Sequence, residues 1–174
     1  SFTSTGLAVT GTVKSTAGTG TAEPVMVGTL SVNTTAVGNV GAGTDDLMTY
    51  PLPANSLSAN NKGIRATVWG TVTNNANAKA ATFNFGATSI SLALRANQDG
   101  AWRAEFVIMR TGSGAQILSG RFQGGLVNGG VTDHLTFAAT PAETDTGAIT
   151  VKCTGTGVAD NDIVQKGMIV EFIS

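Results

Sequence analysis

The sequence predicts an all-β protein built as an antiparallel sandwich, and three observations predict it. Short runs of apolar–polar alternation recur from about residue 45 onward, each bounded by Gly, Asn or Asp. Alternation of period two is what a strand with one buried face requires. Thr and Val, which suit a pleated strand, fill these runs, and 23 Gly residues punctuate the chain. Between the runs lies no helix-length segment with apolar residues at 3.6-residue spacing.

Residues 1–41 stand apart from the rest of the chain. Stretches such as Ser15-Thr16-Ala17-Gly18-Thr19-Gly20-Thr21 and Val37-Gly38-Asn39-Val40-Gly41 are small, polar and Gly-rich, a composition that buries little apolar surface unaided. Between them, Pro24–Val32 reads as a strand, with Val25, Val27 and Thr29 on one side. The expected organisation is a Gly/Thr-rich N-terminal arm over 1–41, carrying one or two short strands, and a compact domain over 42–174.

Within the domain, Ile64, Ala66, Val68 and Val72 share one face of a strand over Ile64–Val72. The cluster Asn74-Asn75-Ala76-Asn77 turns the chain into Ala80–Phe85, which Gly86 ends; Ile90–Leu94 alternates again. The Asp99-Gly100 pair predicts a tight hairpin into Trp102–Arg110. Gly112-Ser113-Gly114 leads to Gln116–Phe122, and the pairs Gly124-Gly125 and Gly129-Gly130 bracket a further turn. His134–Ala139, Ala148–Thr154 and Gly167–Ile173 complete about nine strands after residue 45. That number of antiparallel strands in two sheets fits a jelly-roll β-sandwich.

Two strands are apolar on both faces. In Trp102–Arg110, Trp102, Ala104, Phe106 and Ile108 share one side, while Val107 and Met109 stand on the other beside Arg103 and Glu105. Met168, Val170 and Phe172 alternate with Ile169, Glu171 and Ile173 in the same way. A sandwich strand with one wet face does not read like this, so the second face is expected to meet a partner. The candidate subunit interface comprises Arg65, Trp69, Trp102, Arg103, Glu105, Val107, Met109, Ile169 and Glu171. Trp69 falls opposite Ile64 and Val68, beside Arg65, and Trp and Arg are the residues that anchor interfaces. Arg65, Arg103, Arg110, Glu105 and Glu171 lie within strands, where ion pairs across subunits would satisfy their charges.

Charge excludes other functions. Ten Lys and Arg stand against eleven Asp and Glu, and charged residues make up only 12% of the chain, about half the usual share. Nucleic-acid binding, which needs a basic face, is not expected. No apolar run approaches the roughly 20 residues of a membrane span. Cys153 is the sole cysteine, so no intrachain disulfide forms. The start, Ser1-Phe2-Thr3-Ser4, carries no signal-like pattern and fits a short chain lacking only its initiator Met, or one whose leader has been removed.

From Leu47 onward the chain resembles a domain recurrent in tailed-bacteriophage virion proteins, found in head decorations, head fibres and tail fibres. The resemblance rests on Tyr50-Pro51-Leu52-Pro53-Ala54-Asn55-Ser56-Leu57, Ile64-Arg65-Ala66-Thr67-Val68-Trp69-Gly70-Thr71, Asn75-Ala76-Asn77-Ala78-Lys79 and Phe85-Gly86. It continues in Trp102-Arg103-Ala104-Glu105, Arg110-Thr111-Gly112, Ile149-Thr150-Val151-Lys152-Cys153-Thr154-Gly155 and Asn161-Asp162-Ile163. It implies a jelly roll, usually homotrimeric, with no catalytic role, and it does not cover residues 1–41.

Catalytic and ligand-binding chemistry finds little footing. His134 is the only histidine, between Asp133 and Leu135 at a strand start, with neither co-ligands for a metal nor a nucleophile turn for a triad. Cys153 follows Ile149 and Val151 in alternation and reads as a buried thiol. Gly18 and Gly20 lack the helix and the Gly-Lys-Ser/Thr ending of a phosphate loop. Asp45-Asp46 and Asp160-Asn161-Asp162 offer oxygen ligands to calcium but read first as turns. Neither enzyme activity nor a cofactor is expected.

The expected function is a trimeric capsid decoration, or cement, protein on the outer surface of the virion, made in the host cytoplasm. Its arm, through Val25, Val27, Leu30 and Val32, would clamp neighbouring copies of the major capsid protein by strand addition. The alternative is a tail-fibre, spike or head-fibre module that binds host-surface glycans through exposed tryptophans.

Overall fold

The computed structural model describes residues 28–94, 96–97, 100–125 and 132–173. Among them there is no helix. Eleven strands run in the order β1 (Thr29–Asn33), β2 (Val37–Gly38), β3 (Gly43–Leu52), β4 (Gly63–Val72), β5 (Lys79–Phe85), β6 (Thr88–Leu94), β7 (Gly100–Gly112), β8 (Ala115–Gly125), β9 (Thr132–Ala139), β10 (Ile149–Gly157) and β11 (Ile163–Ile173). They form two sheets, a larger one ordered β1-β11-β4-β7-β8-β9 with β2 also on β11, and a smaller one ordered β3-β10-β5-β6. Every pairing is antiparallel. The chain changes sheet after β2, β3, β4, β6, β9 and β10, as a wound sandwich does and a simple meander does not.

Alternation decides which side chains meet between the sheets. Ile64, Ala66 and Val68 of β4, and Trp102, Ala104, Phe106 and Ile108 of β7, point inward from the large sheet. Phe83 and Phe85 of β5, with Ile149, Val151 and Cys153 of β10, meet them from the small one. The rings of Phe83 and Phe106 stack at 3.9 Å with an interplanar angle of 8°, which fixes β5 over β7. Pro51 lies in β3, and β3 is an edge strand, where a missing backbone N–H leaves no neighbour unsatisfied.

One expectation is corrected by the fold. A tight hairpin at Asp99-Gly100 joining neighbouring strands is ruled out, because β6 and β7 belong to different sheets; Asp99 itself is outside the described residues. Within the stretch expected as an arm, the short strands β1 and β2 both pair with β11. Of the residues expected to bind the capsid, Leu30 packs against the core, whereas Val32 is 61% exposed. Val25 and Val27 lie outside the described residues.

Candidate functional site on the outer face of the large sheet

Strand register carries the side chains of β11, β4, β7 and β8 that do not enter the core onto the opposite face of the large sheet. Across it, one row holds Gly167, Trp69, Arg103 and Gln123. The next holds Ile169, Thr67, Glu105 and Arg121, and the third Glu171, Arg65, Val107 and Ser119. Ile173, Gly63, Met109 and Ile117 form the last. Eight of the nine residues expected at an interface therefore share one surface. Trp102 is the exception: it is 2% exposed and points into the core, because it has the parity of Phe106 rather than of Arg103. Its indole Nε1 has no hydrogen-bond partner.

The face divides into two unlike ends. At one, Val107, Met109, Ile117, Ser119, Ala138 and Ala139 line an almost wholly apolar hollow of about 520 Å³, with Ile117 52% exposed. Ile117 and Ala138 escaped the sequence reading, although Ile117 alternates with Ser119 and Arg121 against Leu118 and Phe122. At the other end, Trp69, Thr67, Arg103, Gln123 and Ile169 line an open groove of about 590 Å³. A Cβ added to Gly167 would lie 2.0, 2.4 and 2.5 Å from Cζ2, Cε2 and Cη2 of Trp69. Distances that rise so little between bonded ring atoms mean that this point sits above the ring plane. The indole therefore lies flat on the Gly167 backbone.

Charges on this face are largely satisfied within the chain. Arg65 meets Glu171 at 3.9 Å and Arg121 meets Glu105 at 3.4 Å. Arg110, also expected to seek another subunit, pairs with Asp145 at 3.7 Å and donates to the carbonyls of Leu57 and Gly112. Arg103 is exposed, and among the described residues it forms no ion pair.

A buried polar cluster lies at one end of the sandwich. Asp162, 1% exposed, accepts from the side-chain amides of Asn75 and Asn77 and from the backbone N–H groups of Val158 and Ala159. Burial pushes its carboxyl up, but these hydrogen bonds outweigh burial and hold it well below the usual carboxylate range. Lys79, 3% exposed, donates to Asn75 Oδ1 at 2.6 Å and to the carbonyls of Asn75 and Asn77. Asn39 exchanges hydrogen bonds with Ile163 and Ala159, and Asp160 Oδ1 accepts from Gly41 N.

The carboxylates considered for calcium are thus engaged as turn and strand clips. Asp45 accepts from Val40 N and Asp46 pairs with Lys152 at 2.7 Å. Among the described residues, no group of three or more His, Cys, Asp and Glu is placed to hold a metal ion. Cys153 is buried in the small sheet, and burial pushes its thiol up to about 12, so the thiolate a nucleophile needs is not formed. His134 belongs to β9 in the large sheet, opposite Gln123.

No protein-family model matches the chain, and no curated protein does. Among solved structures, it is similar to the CBM2 module of the evolved Dit of Lactobacillus casei BL23 phage J-1, with a TM-score of 0.45 at 13% identity over 78% of this chain and 75% of that one. It is also similar to the VP2 subviral particle of infectious bursal disease virus, with a TM-score of 0.35 at 10% identity. That match covers 93% of this chain but 37% of the other. Likenesses of this size assign no function.

Proposed function

We propose that this protein is a non-enzymatic structural component of a tailed-phage particle that works as a homotrimer, decorating the outer surface of the head. The observation that carries the assembly is the apolar end of the outer face, where Val107, Met109, Ile117 and Ala138 turn away from the sandwich core. Apolar side chains gathered on one face of a sheet gain roughly 25 cal/mol per Å² when a partner removes them from water. The ion pair Arg65–Glu171 flanks that end, giving the apolar-centre, polar-rim pattern of protein interfaces. The phage setting and the trimer draw their support from the ordered motifs between Leu47 and Ile163.

Light scattering on the eluted protein tests the assembly, with a particle mass three times the 17.5 kDa chain expected. Met109→Glu, which places a charge in the apolar hollow, should yield folded monomer. A wild-type monomer at all concentrations refutes the reading. Head binding is tested by removing residues 1–27 only, because a cut at 41 also removes β1 and β2 and strips β11 of its edge partners. The shortened trimer should fold and lose its hold on purified heads. Retention of full binding would show that the N-terminal segment is not the clamp.

A further inference from the structure

The Trp69 end of the outer face has the makings of a ligand site that subunit assembly through the apolar end leaves unused. Its floor is an indole laid flat on Gly167, with the small residues Gly70 and Ala101 beside it. Flat aromatic rings at a groove attract ligands with a planar or C–H-bearing apolar face. Two polar side chains line the same groove on the side away from Gly167: Arg103 of β7 pairs in register with Trp69, and Gln123 of β8, one strand further, with Arg103. Both are exposed. Neighbouring strands lie about 4.8 Å apart, so Trp69 to Gln123 spans roughly 10 Å, about the length of a disaccharide.

These features select among ligand classes. A purely apolar ligand would strand the guanidinium of Arg103 and the amide of Gln123 without partners. Nucleic acid is disfavoured, since the groove offers a single cation and the chain has a net charge of −1. A pyranose suits the site: its C–H face stacks on the indole, and its hydroxyls use an amide that both donates and accepts. Arg103 adds a preference. Arg65 and Arg121 on the same face are paired with Glu171 and Glu105, whereas Arg103 has no ion pair among the described residues. A guanidinium in that state is a fork for a carboxylate.

We propose that the groove formed by Trp69, Arg103 and Gln123 binds an acidic saccharide, with a pyranose stacked on Trp69 and a sugar carboxylate on Arg103. The site needs no particular position on the particle, and mass measurement tests subunit assembly separately.

The test titrates the full chain with digalacturonate, a hyaluronan disaccharide and sialyllactose, using lactose as the neutral control. Calorimetry and tryptophan fluorescence give the readouts. At least one acidic sugar should bind in the millimolar range or tighter, quench fluorescence, and bind better than lactose by about tenfold, which is ~1.4 kcal/mol. Trp69→Ala should abolish binding and Trp69→Phe retain part of it, with unchanged urea unfolding midpoints showing that both fold. If Trp69→Ala unfolds, Trp69→Phe and Arg103→Gln still decide the matter. Arg103→Gln should bring the acidic sugar down to the level of lactose. The proposal is overturned if none of the four sugars binds, if lactose binds as tightly as the acidic sugars, or if the Trp69 and Arg103 variants bind like wild type.

Discussion

Removing the carboxylate of Asp162 should destabilise the protein more than any other single polar deletion at the ends of the sandwich. Asp162→Ala leaves the N–H groups of Val158 and Ala159 and the amides of Asn75 and Asn77 without their acceptor. Hydrogen bonds to a charged group contribute about 1.5–3 kcal/mol each, and an orphaned buried donor costs about 1–3 kcal/mol. The turn relaxes and admits water, so the sum is discounted to about 3–5 kcal/mol. Asp162→Asn is not silent, because its NH₂ group would face N–H donors. Asn75 cannot readily flip to accept from it, since its Oδ1 is held by Lys79; a cost of about 2 kcal/mol is expected. Urea unfolding measures both. The carboxyl is depressed below its unfolded value of about 3.9, so its stabilisation is fully present above that pH and is lost as pH falls through the folded value. Wild-type stability should therefore fall below about pH 4 more steeply than that of Asp162→Asn. An Asp162→Ala cost within about 0.5 kcal/mol, the usual surface range, would refute the reasoning.

Two further outcomes concern the core. Trp102→Ala empties a site that is 2% exposed and should cost about 3–5 kcal/mol in the same assay; Trp102→Phe, which also removes the unpaired Nε1, should cost markedly less. Cys153 should resist a thiol reagent in native protein at pH 8 and react at once in denaturant, because burial raises its thiol to about 12. As a raised group, it contributes stability that is complete below its unfolded value of about 8.5 and declines as pH rises through 12. Native-state labelling at the denatured rate would refute its burial.

The two-residue period made the strands and their inward faces legible. Phe106 and Ile108, and Ile64 and Val68, are buried as alternation requires. The same parity, followed strictly, separates Trp102 from Arg103, and the broader grouping of both in one surface patch ignored it. Sheet membership was not legible. Asp99-Gly100 has the chemistry of a hairpin, but whether a connection stays in a sheet or crosses depends on pairings far away in the chain. The same limit hid the Asp162 cluster: Asn75 and Asp162 lie in two separate stretches that each read as a turn, and no local signal says that the turns touch. Arg110 was recognised as needing a partner, but Asp145 is 35 positions distant and on no strand.

The positions of β10 and β11 bear on how the chain is made. β11 lies between β1 and β4, and β10 between β3 and β5. Among the described residues, the first three strands therefore find their partners in the last two. During synthesis at about 5–20 residues per second, β1 to β3 wait about 5–30 seconds with open edges until β10 and β11 leave the ribosome. Neither sheet is complete until β10 and β11 have been made, and such distant pairings fold slowly. A ribosome that stalls before Ile149 would leave three early strands unpaired, each a template for another chain. High-level expression should accordingly be limited by aggregation of nascent chains, and slowing initiation should raise the soluble yield more than stabilising the finished fold.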